Sequence, residues 1–386
     1  MLQILHFGDM HLDAPYAAVG MAAGERLREG LRRVLNKITG LAAECDLVLI
    51  SGNLFESGYV LPETLGLVRD AFAALPCPVV IAPGNADPYA PGGLWTSAVW
   101  SDNVLIFKKD TVTPLRFELP RTGTPVTVWG WAFTSDRMSA SPLTAKDGSL
   151  PFVPDAGRLN LLCAHADLCD DKSLLCPTDP GAVLRSGVAY AALGAPAQPD
   201  VPLANAVTAA AVCGTPEAHS FGEAIPEGIL LVTVDEDAAP PVTVDRVQIA
   251  AHRYRELSLD VSGCLRDDDL VRRLSAALAE RKWGNETSLR VTLTGTLIYD
   301  HRPAAAKIAA QVQASLDAAR RLCSLTVIDR TLPAPDASEP MDEPDVRGEF
   351  YRTLFPLLSS ADAERKRTAA AAIRAGLIAL DGGSVD

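Results

Sequence analysis

Three short apolar runs restrict what this chain can fold into. Ile4–Phe7, Leu47–Ser51 and Pro78–Ala82 stop at Gly8-Asp9, at Gly52-Asn53 and at Pro83-Gly84-Asn85. Runs of this length, almost wholly apolar, read as strands buried on both faces, as in a parallel sheet. Between them, Gly24–Ala43 carries Leu27, Leu31, Val34, Leu35, Ile38 and Leu41 at helical spacing, with arginines on the other face. Pro62–Leu75 opens on a proline and places Leu65, Val68, Phe72 and Leu75 on one side. Strand, helix, strand, helix, strand predicts a layered α/β core. The first strand delivers Asp9 and His11, which face the same way if the chain stays extended and can then converge on one ion.

Further strands are expected at Val104–Phe107, Val126–Trp131, Leu159–His165, Tyr190–Gly194, Val207–Cys213, Gly228–Val234 and Val242–Ile249. Few helices separate them, which points to a second, more antiparallel sheet packed on the first. Ser139–Arg158 reads as a polar surface excursion. From Arg253 the pattern changes: strand Arg255–Val261, a helix capped by Asp267-Asp268-Asp269, strand Leu289–Thr294, an alanine-rich helix Ala304–Arg321 and strand Leu325–Thr331 form a small β-α-β-α-β unit. Pro333–Asp345 is a linker, and helices Val346–Leu358 and Ala361–Leu380 follow.

The chain has 386 residues, long enough for two domains and an appendage, and 48% of them are hydrophobic. No apolar run reaches the roughly 18–20 residues a membrane span needs, and Met1 leads almost directly into the first strand, so the expectation is a cytoplasmic protein with no membrane role. The eight cysteines form no C-x-x-C pair and read as buried, reduced thiols, with Cys163, Cys169 and Cys176 the one group of interest. A formal charge of −13 argues against indiscriminate polyanion binding. Arg26, Arg28, Arg32, Arg33 and Lys37 could still form a local basic face, or a solvated helix face.

In α/β sheets, ligands gather beyond the carboxyl ends of the strands. This chain places there Gly8-Asp9-Met10-His11, Gly52-Asn53, Gly84-Asn85-Ala86-Asp87, His165 and Gly194-Ala195-Pro196-Ala197. In their order these stretches resemble the D-x-H, G-D, G-N-H-D, lone His and G-H-x-H motifs of calcineurin-like metallophosphoesterases, nearest to the SbcD/YhaO-type DNA-repair exonucleases. Gly214–Glu223 resembles the segment closing that family's catalytic domain. Leu257–Gly263 is similar to the start of its second domain, and Gly348-Glu349-Phe350 and Gly376–Leu380 to its C-terminal helices. The resemblance implies a four-layer αββα sandwich over residues 1–252, a small α/β capping domain over 253–332, a linker over 333–345 and a helical tail over 346–386.

It also implies two Mn²⁺ ions, with Asp9, His11, Asn53, Asn85 and His165 at metal-ligand positions. The departures fall on the chemistry. The carboxylate that bridges the ions in the family is Asn53 here, the histidine that acts on the scissile phosphate is Ala86, and the histidines of the last motif are Ala195 and Ala197. A neutral amide lacks the charge that holds two cations about 3.5–4 Å apart. No catalytic residue is retained, which leads to weak, partial or no metal occupancy. Two functions stand against each other: a catalytically impaired nuclease-like subunit that binds DNA or a partner, and an active Mn-dependent DNA exonuclease or phosphodiesterase with an incomplete or single-metal site. The partners implied are DNA, an SbcC- or YhaN-like coiled-coil ATPase and a second copy of the chain.

Several residues carry a plainer reading beside the functional one. Asp9 and His11 are residual ligands or relic hydrogen-bonding groups, and His165 a weak ligand or a hydrogen-bonding group. Asn85 suits a tight turn. Asp87 and Asp167 read as loop-ordering carboxylates, and Trp95, Trp100, Trp129 and Trp131 as core rather than base-stacking platforms. His219, His252 and His301 match no ligand position. Phe350, Leu354 and Leu357 form a stripe for a partner helix or for the chain's own packing.

Overall fold

The computed structural model describes all residues except 146, 195–202, 224–226, 236, 298–302, 334–338 and 381–386. Two compact units result: Met1–Tyr254 with Glu286–Ser288, and Arg255–Asn285 with Leu289–Asp386.

The first unit is built on two six-stranded sheets. Its strands are β1 (Leu2–Phe7), β2 (Leu47–Ile50), β3 (Val79–Ile81), β4 (Val104–Ile106), β5 (Thr113–Glu118), β6 (Pro125–Gly130), β7 (Leu159–His165), β8 (Tyr190–Gly194), β9 (Leu203–Ala204), β10 (Ala209–Val212), β11 (Ile229–Val234) and β12 (Val242–Val247). One sheet runs β12-β11-β1-β2-β3-β4, the other β5-β6-β7-β8-β10-β9. β1 to β4 are parallel, with Phe7 beside Ile50 and Ile50 beside Ile81, so their carboxyl ends finish level.

The apolar runs have no polar face because each strand is covered on both sides. Leu5, Phe7, Val48, Ile50, Val79 and Ile81 pack on helices Met21–Ala42 and Pro62–Ala73. Ile4, Leu47, Leu49 and Val80 meet Val126, Val128, Leu161, Cys163, Tyr190 and Ala192 between the sheets. The outer face of the second sheet packs on Leu143, Phe152 and helix Pro180–Arg185. The result is a four-layer mixed α/β sandwich.

Four expectations change. The second sheet is not mainly antiparallel: β6, β7, β8 and β10 run parallel, and only its edge strands β5 and β9 oppose them. β11 and β12 join the first sheet, antiparallel beside β1. Ser139–Arg158 contributes Leu143 and Phe152 to the core, so it is not wholly a surface excursion. Leu41, placed by periodicity on the inner helix face, is exposed.

The second unit holds most of a three-stranded sheet of Arg253–Asp260, Thr287–Thr294 and Ser324–Asp329, with Thr287–Thr294 in the centre and the first residues of the first two strands counted in the first unit. Leu270, Leu274 and Leu278 of helix Asp267–Ala279 and Ile308 and Val312 of helix Ala305–Ser315 cover it. The Asp267–Asp269 carboxylates lie in the first turn of that helix, and Arg266 is the capping residue. The alanine-rich helix ends at Ser315, short of Arg321. Phe350 and Leu354 pack on Tyr351, Ile373 and Leu377, so this part of the stripe is satisfied by the chain's own final helix, Ala363–Leu380.

The sheets approach closely at the strand ends. A Cβ on Gly194, the last residue of β8, would stand 2.0 Å from the Ser51 carbonyl oxygen at the end of β2 and 2.9 Å from His165 Nδ1. We therefore expect Gly194→Ala to lower stability by about 3 kcal/mol or more, since the Ser51 backbone on one side and the buried His165 ring on the other leave little room to give. Gly66→Ala, at a helical site with nothing near its added Cβ, is the control and should be neutral or slightly stabilising. Urea unfolding midpoints of both variants provide the check, and an unchanged midpoint for Gly194→Ala would contradict it.

Candidate functional site

The loops after β1, β2, β3 and β7 bring Asp9, His11, Asn53, Asn85 and His165 together. The route to Asp9 and His11 differs from the extended chain expected. Asp9 and His11 have φ of 47° and 44°, and Asp13, Tyr16 and Asn53 are also left-handed, at 64°, 48° and 53°. Such conformations are costly for non-glycine residues and persist only where the surroundings enforce them. A backbone ladder does so here. The N–H groups of Asp9, His11 and Leu12 donate to the carbonyls of Gly52, Asn53 and Leu54. Thr215 Oγ1 also donates to the Asp9 carbonyl, and His219 Nε2 lies 3.0 Å from the Met10 carbonyl.

Asn53 sits in the centre. Its Nδ2 group donates to Asp9 Oδ1 at 2.9 Å and to Asn85 Oδ1 at 3.2 Å, and lies 3.3 Å from His165 Nε2. Its Oδ1 accepts from the Ala86 N–H at 2.9 Å. That last bond sets the direction of the amide, because an N–H can be satisfied only by the oxygen end. His165 Nδ1 lies 3.0 Å from the Ser51 carbonyl, an acceptor, so Nδ1 carries the proton and Nε2 turns a lone pair toward Asn53. Gly84 permits the approach: a Cβ there would lie 2.3 Å from Asn53 Oδ1.

The charges follow from these contacts. Burial holds the His165 imidazole below its usual pKa, so it is neutral near pH 7. Burial alone would raise the Asp9 carboxyl, but the His165 and His11 rings and the Asn53 N–H outweigh it and hold Asp9 below the usual carboxylate range. Burial also opposes a charge on His11, but the carboxylates of Asp9, 3.7 Å from Nε2, and Glu56, 2.8 Å from Nδ1, raise it to about 10. His11 is thus an imidazolium clamped between two acids. Asp9 Oδ2 is buried and has no hydrogen-bond partner.

Asp87 behaves as a loop-ordering carboxylate. Its oxygens accept from the backbone N–H groups of Gly84, Asn53, Leu54 and Phe55 at 2.8 to 3.3 Å, tying the β2 and β3 loops together. Burial pushes this carboxyl up to about 7, against the pull of those N–H groups. Asp167 accepts from the N–H groups of Cys169 and Asp170 and orders its own loop. Trp95, Trp129 and Trp131 are buried. Described cysteines are all free, and only Cys169 is exposed. Ala195, Ala197 and His301 lie outside the described residues.

Glu56 and His219 are the neighbours that motif reading missed. Glu56 follows Asn53 by three residues and becomes His11's partner only through the left-handed turn. The His219 ring lies 5.4 Å from that of His11 and stacks on Tyr16. The basic helix face is largely committed: Arg32 to Asp13 and Thr64, Arg28 to the Pro15 carbonyl, Lys37 to the Ile249 carbonyl and Arg33 to Glu29.

Two bridged cations need several lone pairs aimed at shared positions. Here the central position is filled by an amide NH₂, a donor, and Ala86 offers no group for proton transfer. Among the described residues, no three His, Cys, Asp or Glu side chains converge as a metal site. The residues present do not fit a two-metal centre. A test of the loop scaffold follows from the Asp87 contacts. Asp87→Asn would turn an NH₂ toward backbone N–H groups, and should cost about 3 kcal/mol in denaturant unfolding; an unchanged midpoint would refute this role.

No helix among the described residues is long and apolar enough to cross a membrane. No curated protein matches the chain. Residues 2–182, spanning β1 to helix Pro180–Arg185, match the family model for calcineurin-like phosphoesterases. Two stacked sheets with the strand-end loops gathered at one edge make the N-terminal unit a mixed α/β sandwich, consistent with the metallophosphoesterase fold.

Proposed function

We propose that this protein is an SbcD/YhaO-type nuclease-like subunit that does not hydrolyse phosphodiesters by the two-metal route and acts by binding. The observation that carries this reading is the orientation of Asn53, whose NH₂ group points into the centre of the strand-end cluster. Its family suggests a phosphoester hydrolase. Against hydrolysis stand the amide in place of a bridging carboxylate and the methyl of Ala86 in place of a proton-transfer group. His11 does not replace that group, because both its ring nitrogens face carboxylates.

For the binding partner, the chemistry favours protein over DNA. The net charge is −13, and the arginines of helix Met21–Ala42 are engaged within the chain. Phosphate contacts are made with free Lys and Arg. A coiled-coil ATPase of the SbcC or YhaN kind is the partner this lineage suggests, with DNA reached through the complex.

The second reading, an exonuclease with an incomplete or single-metal site, draws on Asp9 Oδ2, a buried carboxylate oxygen with no partner. Incubation of the purified chain with linear double- and single-stranded DNA in excess Mn²⁺ separates the two. The expected result is no cleavage above an Asp9→Ala control; loss of the proton-transfer group alone accounts for about 10²–10⁴-fold. Mn-dependent cleavage that Asp9→Ala abolishes would overturn the binding-subunit reading.

A further inference from the structure

We propose that the Asn53 carboxamide is a built-in substitute for a cation: it holds the strand-end loops together as a shared ion would, and the cluster becomes a divalent-cation site if Asn53 is made Asp. Three lone pairs from three separate loops converge on one atom. Asp9 Oδ1 comes from the β1 loop, Asn85 Oδ1 from the β3 loop and His165 Nε2 from the end of β7, at 2.9, 3.2 and 3.3 Å from Asn53 Nδ2. Loops that present acceptors to a common point repel unless a donor or a cation stands there. The two N–H groups of the amide answer that need without a net charge.

The amide cannot turn over to expose its oxygen. Rotation by half a turn would set NH₂ against the Ala86 N–H and oxygen against Asp9 Oδ1, leaving buried donors and acceptors facing their own kind. The cluster is therefore fixed in a form that repels a metal ion. In Asn53→Asp, one carboxylate oxygen still accepts from Ala86. The other faces Asp9 Oδ1, Asn85 Oδ1 and His165 Nε2 with no hydrogen among them. Such a set of oxygen and imidazole donors suits Mn²⁺ or a similar divalent ion.

This inference rests on the reading that the native site does not hold two ions, and the two fail separately. The experiment compares Tm in EDTA and in millimolar MnCl₂ for the wild type, Asn53→Asp and Asn53→Ala. The wild type should show the same Tm in both buffers. Asn53→Asp should melt roughly 5 °C or more below it in EDTA and regain most of that loss in MnCl₂. Asn53→Ala, which removes the amide without adding a ligand, should be destabilised and indifferent to Mn²⁺. A Mn²⁺-induced rise in the wild type would overturn the inference. So would an Asn53→Asp protein that Mn²⁺ neither stabilises nor, should it fail to fold in EDTA, restores to solution. DNA cleavage by the wild type would defeat the underlying reading, whereas an Asn53→Asp protein unmoved by Mn²⁺ defeats this inference alone.

Discussion

The strand-end cluster depends on one carboxamide. Asn53 is 2% exposed, and each end of its side chain is committed: oxygen to the Ala86 N–H, nitrogen to Asp9 and Asn85 with His165 alongside. An ion and an amide can both organise acceptors, but by different means. A cation draws lone pairs by charge and polarises whatever it binds. An amide satisfies them with directed hydrogen bonds and activates nothing. The remaining charge is balanced nearby by His11, an imidazolium between Asp9 and Glu56. A site closed on itself in this way is held by hydrogen bonds.

What keeps that shape is backbone. Left-handed residues at Asp9, His11 and Asn53 would relax if released, but the ladder to Gly52, Asn53 and Leu54 and the four N–H groups on Asp87 hold both loops. Behind them, His6 Nδ1 lies 2.8 Å from Tyr190 Oη and its Nε2 2.9 Å from Ser51 Oγ, joining the sheets through a buried polar chain. Burial drives the pKa of His6 down to about 3, so it is neutral in the fold. Its unfolded pKa is near 6.5, so between those values the unfolded chain binds the extra proton and stability falls as pH drops. The cleft and the sandwich thus share their interior contacts.

Much of this could be read from residues alone. The runs ending at Phe7, Ile50 and Ile81 read as strands because almost every residue in them is apolar, and their glycine stops mark the site edge. The parallel character of the second sheet was obscured because, among the described residues, its crossovers hold the short helix Pro180–Arg185 and no long amphipathic helix. β5, with Pro114 and Arg116 in an edge position, carries too weak an alternation to be seen. At the site, the residue identities lead to the expectation of an amide where the resemblance implies a bridging carboxylate, but not to how that amide is turned. The direction of the Asn53 amide is set by Ala86, whose backbone N–H leaves no trace in sequence. Glu56 and His219 reach His11 only through turns that spacing rules do not describe.

The most direct measurement is an NMR titration of the chain carrying ¹⁵N-labelled asparagine, following the Asn53 side-chain NH₂ pair, assigned by its absence in Asn53→Asp. A hydrogen-bonded, buried amide that excludes metal should give two well-separated, slowly exchanging proton signals that stoichiometric Mn²⁺ leaves visible. Paramagnetic loss of those signals at one or two equivalents of Mn²⁺, ahead of every other asparagine NH₂ pair, that of Asn85 included, and with a shift of the same pair under diamagnetic Mg²⁺ or Zn²⁺, would place an ion beside the amide and contradict the account.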